Sequence, residues 1–269
     1  MIECVVNVSE GRDRRLIDQI AAAAGPDLLD VHSDPDHNRS VLTLIGENAP
    51  RSVAEAAVDL LVIGSHSGAH PRIGVIDVVP FVPLAGSTMP DAEAARDAFG
   101  TWAAATLDLP GFSYGSHRSL PDIRRSAFGD LAPTWGRATP HPTAGAVAVG
   151  ARPLLVAYNV WVTGIDLAGA RSAAAAIRSP TLRALGLAVG DRLQVSMNLV
   201  EPDVTGPAEA TDEVAAEVAW RGGTVSGCEL VGLVPRSVLE AIDLERWEEL
   251  DLSPARTIEQ ALNMPEGYV

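Results

Sequence analysis

Apolar positions along this chain follow two rhythms, a period of two over short β-branched runs and a period near 3.6 over alanine-rich ones. IECVVNV (2–8) is rich in β-branched residues and stops at Ser9-Glu10-Gly11, which predicts a strand and a turn. RDRRLIDQIAAAAGP (12–26) then places Leu16, Ile17, Ile20, Ala21 and Ala24 on one helical face, with Gly25-Pro26 as its stop. LLDVHS (28–33) and RSVLTLIG (39–46) flank the polar turn DPDHN (34–38) and predict a hairpin. Pro50 suits the first turn of a second helix, whose inner face would be Val53, Ala57, Leu60 and Leu61 and whose end is Gly64. GVIDVVPFVPL (74–84) supplies the next strand. The order is βαββαβ, the split arrangement of a ferredoxin-like unit.

Pro80 and Pro83 lack the N–H that a ladder needs, so this strand is expected at a sheet edge near its end, or bulged. A third helix over about 88–107 carries Ala95, Phe99, Trp102 and Thr106 on one face. From Pro110 to Pro153 the chain is rich in Gly, Pro, Ser and Arg and reads as a long irregular segment, a functional cover kept ordered by Tyr114 and Trp135. The first pattern then repeats: strand 154–162, helix 166–178, a hairpin turning at Gly190-Asp191, a helix with Ala210, Val214 and Val218 on one face, and strand 224–235. Asn7-Val8 and Asn159-Val160 occupy matching first strands, and residues 42–56 echo 195–210. The expected fold is α+β: two ferredoxin-like βαββαβ subdomains related by duplication, 1–152 and 153–269, with helices on mostly antiparallel sheets. A ligand crevice is expected between the halves. The acidic end (240–264) reads as a helix and a peripheral extension docked by Trp247, Ile258 and Leu262.

Composition narrows the chemistry. A net charge of -15 over 269 residues disfavours nucleic acid as a partner. All 20 basic residues are arginines, which removes Schiff-base and Walker-type lysine chemistry. Any small anionic substrate must then be clamped by a few arginines acting locally. No apolar run is long enough to span a bilayer, and Met1-Ile2-Glu3 lacks the basic start of a secretory signal, so a cytoplasmic protein without membrane partners is expected. Cys4 and Cys228 sit in apolar strand-like runs and read as buried thiols.

The histidines pair as His32 with His37 and His66 with His70. Gly68 and Pro71 oppose a continuous helix through the second pair, and no Glu follows His66, so no metal site is expected. His70 is different. Pro71 restricts the backbone at His70, Arg72 offers an anion clamp, and the apolar strand behind gives a rigid mount, all of which suit a neutral imidazole acting as a base. Taken alone, the residue reads first as a loop histidine bonding a carbonyl, and these three features shift that reading. No Gly-x-Ser-x-Gly elbow or dinucleotide-binding glycine motif is present.

The segments ECVVNVSEGR (3–12), LLDVHSDPDHNRSV (28–41), HSGAHPRIGVIDVVPFVP (66–83), GARPLLVAYNV (150–160) and CELVGLVP (228–235) together resemble the formiminotransferase domain family. The resemblance runs over most of the chain in order, and it implies a folate channel between two subdomains. It implies transfer of a formimino group from N-formimino-L-glutamate to the co-substrate tetrahydrofolate in histidine degradation, with His70 as the catalytic histidine and no metal. Arg39 and Arg72 are then expected as carboxylate clamps, with Arg152 behind them. Asn7, Ser9, Glu10, His32 and Asn38 are expected to line the folate and substrate site, and Asp77 either binds the pterin edge or pairs with an arginine. The deaminase domain fused to some members has no counterpart here, and a homodimer is left open. The chain departs from the family pattern at His32, where the family carries Asp, and at Ser67 and Ala69, where it carries charges. Formyl transfer, hydrolysis of a formimino compound, and a non-catalytic folate-binding module therefore remain open beside formimino transfer.

Overall fold

The computed structural model describes residues 1–68 and 71–264, so the reading of His70 falls outside the described residues. The chain divides into two compact units, Met1–Pro153 and Leu154–Val269.

In the first unit, β1 (Ile2–Val8) buries Cys4, Val6 and Val8. α1 (Arg14–Ala22) starts at Asp13, whose carboxylate accepts from the Arg15 and Leu16 amides that no helical carbonyl serves. β2 (Leu28–Asp34) and β3 (Arg39–Ile45) form the hairpin, followed by α2 (Asn48–Leu60) and β4 (Ile76–Pro83). These four strands pair antiparallel in the order β2-β3-β1-β4, the ferredoxin-like arrangement. α3 (Met89–Thr106) opens with a Thr88–Asp91 capping box and packs Ala92, Ala95, Phe99 and Ala103 inward. Thr106 and Leu60, expected on inner faces, are exposed, each in the last turn of its helix.

Two expectations are corrected. The segment after Pro110 is no irregular cover: β5 (Gly111–Tyr114), α4 (Leu120–Ser126) and β6 (Val147–Ala151) extend the sheet to β2-β3-β1-β4-β6-β5. β6 pairs parallel with both β4 and β5 and is buried along its whole length, as a strand covered on both faces must be. Consequently β4 is an internal strand, with Pro80 opposite Gly150 of β6. Its irregularity falls elsewhere, in its pairing with β1, where Asn7 faces Val78 but Val8 faces Ile76.

The second unit holds β7 (Val156–Thr163), α5 (Leu167–Ala176), β8 (Leu182–Val189), β9 (Arg192–Leu199), α6 (Pro207–Trp220) and β10 (Thr224–Val231). Its sheet runs β10-β7-β9-β8, all antiparallel, with Ala210, Val214 and Val218 of α6 in the core. The α+β class with βαββαβ units on mostly antiparallel sheets is thus borne out. Cys4 is buried as expected, whereas Cys228 is only half-buried. The acidic end is broken into short turns, α7 (Arg236–Glu240) and α8 (Ile258–Ala261) among them, and buries Leu250, Leu252 and Ile258 with partly buried Trp247. Among the described residues no helix is long and apolar enough to cross a membrane.

Candidate active site

Alternation along β1 turns Glu3, Val5 and Asn7 away from the face that buries Cys4, Val6 and Val8. Register extends that outer face across the sheet. Asn7 faces Val41 of β3, Val41 faces His32 of β2, and Arg39 lies two residues from Val41 on the same side. On β4 the extra residue between Ile76 and Val78 is Asp77, and the bulge aims its carboxylate into this face.

Asp77 is fully buried, and three donors converge on it. Its Oδ2 accepts from Arg39 Nη1 at 2.7 Å and from Arg124 Nη2 of α4 at 2.9 Å, and its Oδ1 accepts from the Ile73 amide at 2.7 Å. Arg39 Nε also donates to Asn7 Oδ1 at 3.0 Å. Burial alone would push the Asp77 carboxyl up, but the guanidiniums of Arg39 and Arg124 overcome it and hold the group below the usual carboxylate range. Burial likewise lowers Arg39, with Asp77 opposing the shift.

The loops beside this cluster are tied to one another by backbone-directed side chains. Asn38, in the left-handed region at φ 48°, accepts from the Gly11 amide through Oδ1 and donates to the Ser67 carbonyl through Nδ2, both at 2.9 Å. Gly11 has no alternative, since a Cβ there would lie 2.2 Å from the Asp34 carbonyl oxygen. Ser9 Oγ donates to the Gly74 carbonyl at 2.8 Å, and Glu10 Oε1 accepts from the Arg12 and Asp13 amides. Arg72 Nη1 lies 2.9 Å from His66 Nε2. Its guanidinium is lowered first by burial, then by Arg39, with Asp77 opposing and Arg12 and Arg124 adding to the shift. Arg39, Arg12 and Arg124 therefore all act on Arg72, while Arg39 and Arg124 share the buried carboxylate of Asp77.

Arg152 stands apart from that centre. It closes β6, donates through Nη1 to the Pro153 carbonyl, and acts on buried Glu3 and Tyr114. Burial pushes the Glu3 carboxyl up to about 7, with Arg152 opposing. Tyr114 is raised by burial, with Arg152 and Arg124 opposing and Cys4 and Asp77 adding to the shift.

The structure thus joins Asn7, Arg39 and Asp77 directly, and sets Ser9, Glu10, Asn38 and Arg72 in the neighbouring loops. His32 is half-buried on edge strand β2, in the row of Asn7. Arg124 and His66 are not marked as site residues by the sequence alone. A Ser119–Asp122 capping box marks α4 in the sequence, yet nothing local says that Arg124 rather than Arg125 turns to the sheet. Among the described residues no group of three or more His, Cys, Asp or Glu side chains is placed to hold a metal ion.

Residues 1–152 match the formiminotransferase domain, N-terminal subdomain. The chain belongs to the formiminotransferase domain family. Its relatives include a glutamate formimidoyltransferase of Streptococcus pyogenes serotype M1, 34% identical over 89% of this chain and 90% of that protein. One of Thermoplasma acidophilum is 33% identical over 92% and 91%. The formimidoyltransferase-cyclodeaminase of Sus scrofa is 33% identical over 89% of this chain but only 51% of its own length. The Asp77 cluster and the Asn38 turn both lie inside the matched formiminotransferase subdomain.

Proposed function

We propose that this chain moves the formimino group of N-formimino-L-glutamate to N5 of tetrahydrofolate, within histidine degradation. The observation that carries this reading is a local concentration of cation in a chain whose net charge is -15: Arg39 and Arg124 both donate to the buried carboxylate of Asp77, and Arg12, Arg39 and Arg124 all act on Arg72. Such a centre suits substrates that carry carboxylates, and a guanidinium can take one in two parallel bonds. We read Asp77 as the anchor that fixes the arginines, because three donors already engage it.

His70 is assigned the base. It takes the N5 proton as that nitrogen attacks the formimino carbon. The tetrahedral adduct collapses by breaking the bond from that carbon to the glutamate nitrogen, which receives the proton back from His70. The products are glutamate and N5-formimino-tetrahydrofolate. Holding both reactants side by side supplies most of the ordering that a bimolecular transfer demands. A cytoplasmic setting fits the free thiols Cys4 and Cys228.

Glutamate release from formiminoglutamate tests the reading directly. Release should require tetrahydrofolate and fall by about 10²-fold or more in His70→Ala. Release without folate would instead mark a hydrolase, and folate binding without turnover a binding module. An inactive wild type restored by His32→Asp would mark a member that has left the family's reaction.

A further inference from the structure

The Arg72 guanidinium meets a ring nitrogen. Nη1 lies 2.9 Å from His66 Nε2, and the guanidinium packs so closely over Gly68 that a Cβ there would lie 2.8 Å from Nη2. A guanidinium only donates, so this contact needs an Nε2 lone pair and therefore a ring protonated on Nδ1 alone. Nδ1 is buried, with no hydrogen-bond partner among the described residues.

The same Nε2 lies 2.9 Å from the Asn38 carbonyl oxygen, which only accepts. One nitrogen is shared between an obligatory donor and an obligatory acceptor. Both contacts cannot be hydrogen bonds at once. Without a proton Nε2 holds Arg72; with one it serves Asn38, and an imidazolium adds a like charge beside the guanidinium. Among the described residues, the other charged and titratable groups near His66 include Arg12, whose Nη1 is 3.5 Å from Ser67 Oγ, and the β2–β3 turn pair His37 and Asp34, with the His37 carbonyl packed against Gly68.

We propose that His66 is a positioning residue: its unprotonated Nε2 holds Arg72 in place to clamp a substrate carboxylate, and a proton at Nε2 passes the hydrogen bond to Asn38 and releases the clamp. The role at the substrate rests on the transferase reading above; the coupling between the two side chains does not. It separates His66 from the base, because losing the clamp weakens substrate binding and leaves the proton-transfer step in place.

The ring nitrogens of ¹⁵N-histidine-labelled full-length protein report the tautomer without either substrate. His66 should show an unprotonated Nε2, which becomes protonated in Arg72→Ala. An Nε2–H ring in the wild type, unmoved by Arg72→Ala, overturns the proposal. In the transfer assay, His66→Phe should raise KM for formiminoglutamate about tenfold with kcat within about threefold, the scale of one charge-assisted hydrogen bond. His66→Gln, whose Oε1 can accept from Arg72, should restore KM and remove its rise at acid pH. A His66→Gln protein that loses kcat with KM unchanged also overturns it. A protein that shows the Arg72-dependent spectrum but transfers no formimino group overturns the transferase reading and leaves the coupling standing.

Discussion

In the unit Met1–Pro153, Arg39 of β3 sits two residues from Val41, the partner of Asn7; in the unit Leu154–Val269, Gln194 of β9 sits two residues from Ser196, the partner of Asn159. The fourth strand of each sheet then adds a carboxylate, Asp77 on β4 and Glu229 on β10. Asn159 Nδ2 and Gln194 Nε2 donate to Glu229 Oε2 at 3.0 and 3.3 Å, where Arg39 and Arg124 donate to Asp77. One strand order thus supports two polar centres: amides donate to Glu229 in one, and guanidiniums donate to Asp77 in the other. The difference comes from local additions. Both β4 and β10 bulge against their neighbour, but the inserted β5–α4–β6 segment, which the four-stranded sheet lacks, brings Arg124 to Asp77.

That contrast can be broken most sharply at the carboxylates. Asp77→Ala leaves two guanidiniums without their counter-charge and should cost roughly 3–5 kcal/mol in urea unfolding, the range for an orphaned buried ion. Glu229→Ala removes bonds from neutral amides and should cost about 1–3 kcal/mol; equal costs would erase the distinction between the centres.

Glu3 sharpens it along pH. Four residues before Asn7 stands this buried carboxyl, and four before Asn159 stands Leu155. Folding raises Glu3 from its ordinary 4.5 to about 7. Below pH 4.5 both states are protonated; between 4.5 and 7 the unfolded chain releases the proton while the folded one keeps it, so stability falls as pH rises through that window. Glu3→Gln should abolish the decline and leave the variant more stable above pH 7 by an amount on the order of 3 kcal/mol. Denaturant midpoints across the window decide it, and parallel curves for both proteins would rule it out.

Arg124→Ala should act more mildly, since Arg39 stays on Asp77. We expect about 1–3 kcal/mol of stability lost and KM for the carboxylate substrate raised about tenfold. An unchanged KM would remove Arg124 from the substrate's side of the cluster. Gln194→Met should matter least. Its Oε1 is buried with no partner among the described residues, so methionine relieves an unmet acceptor while losing one bond, for a net change within about 1 kcal/mol by thermal unfolding.

Most of the scaffold was legible in the chain. Period-two runs and capped 3.6-period runs report on local burial, and the two βαββαβ orders follow from them. The segment after Pro110 was not, although AGAVAVGA (144–151) is the unbroken apolar run that a parallel strand buried on both faces requires. Its small residues and the surrounding Gly and Pro hide that signal; Gly150 is small because the Tyr114 ring lies over it. Arg124 is hidden for a related reason: the Ser119–Asp122 capping box marks its helix, but not which of Arg124 and Arg125 turns to the sheet. Arg39 and Asp77 can be picked by residue type, but their pairing depends on a bulge at Asp77 that no local motif announces. His66 was visible as a histidine and invisible as a partner of Arg72, because that contact is made by the fold of its loop.

β4 takes its place in the middle of the sheet only when residues 147–151 arrive, more than sixty positions later in the chain. During synthesis, then, VVPFVP waits with one flank uncovered while the rest of its sheet is still being made. An apolar run of that kind without proline is the kind of segment that recruits copies of itself into cross-β stacks. Pro80 and Pro83 withhold donors along it, so the finished sheet tolerates two gaps in its ladder and the nascent chain gains protection from its neighbours on the polysome.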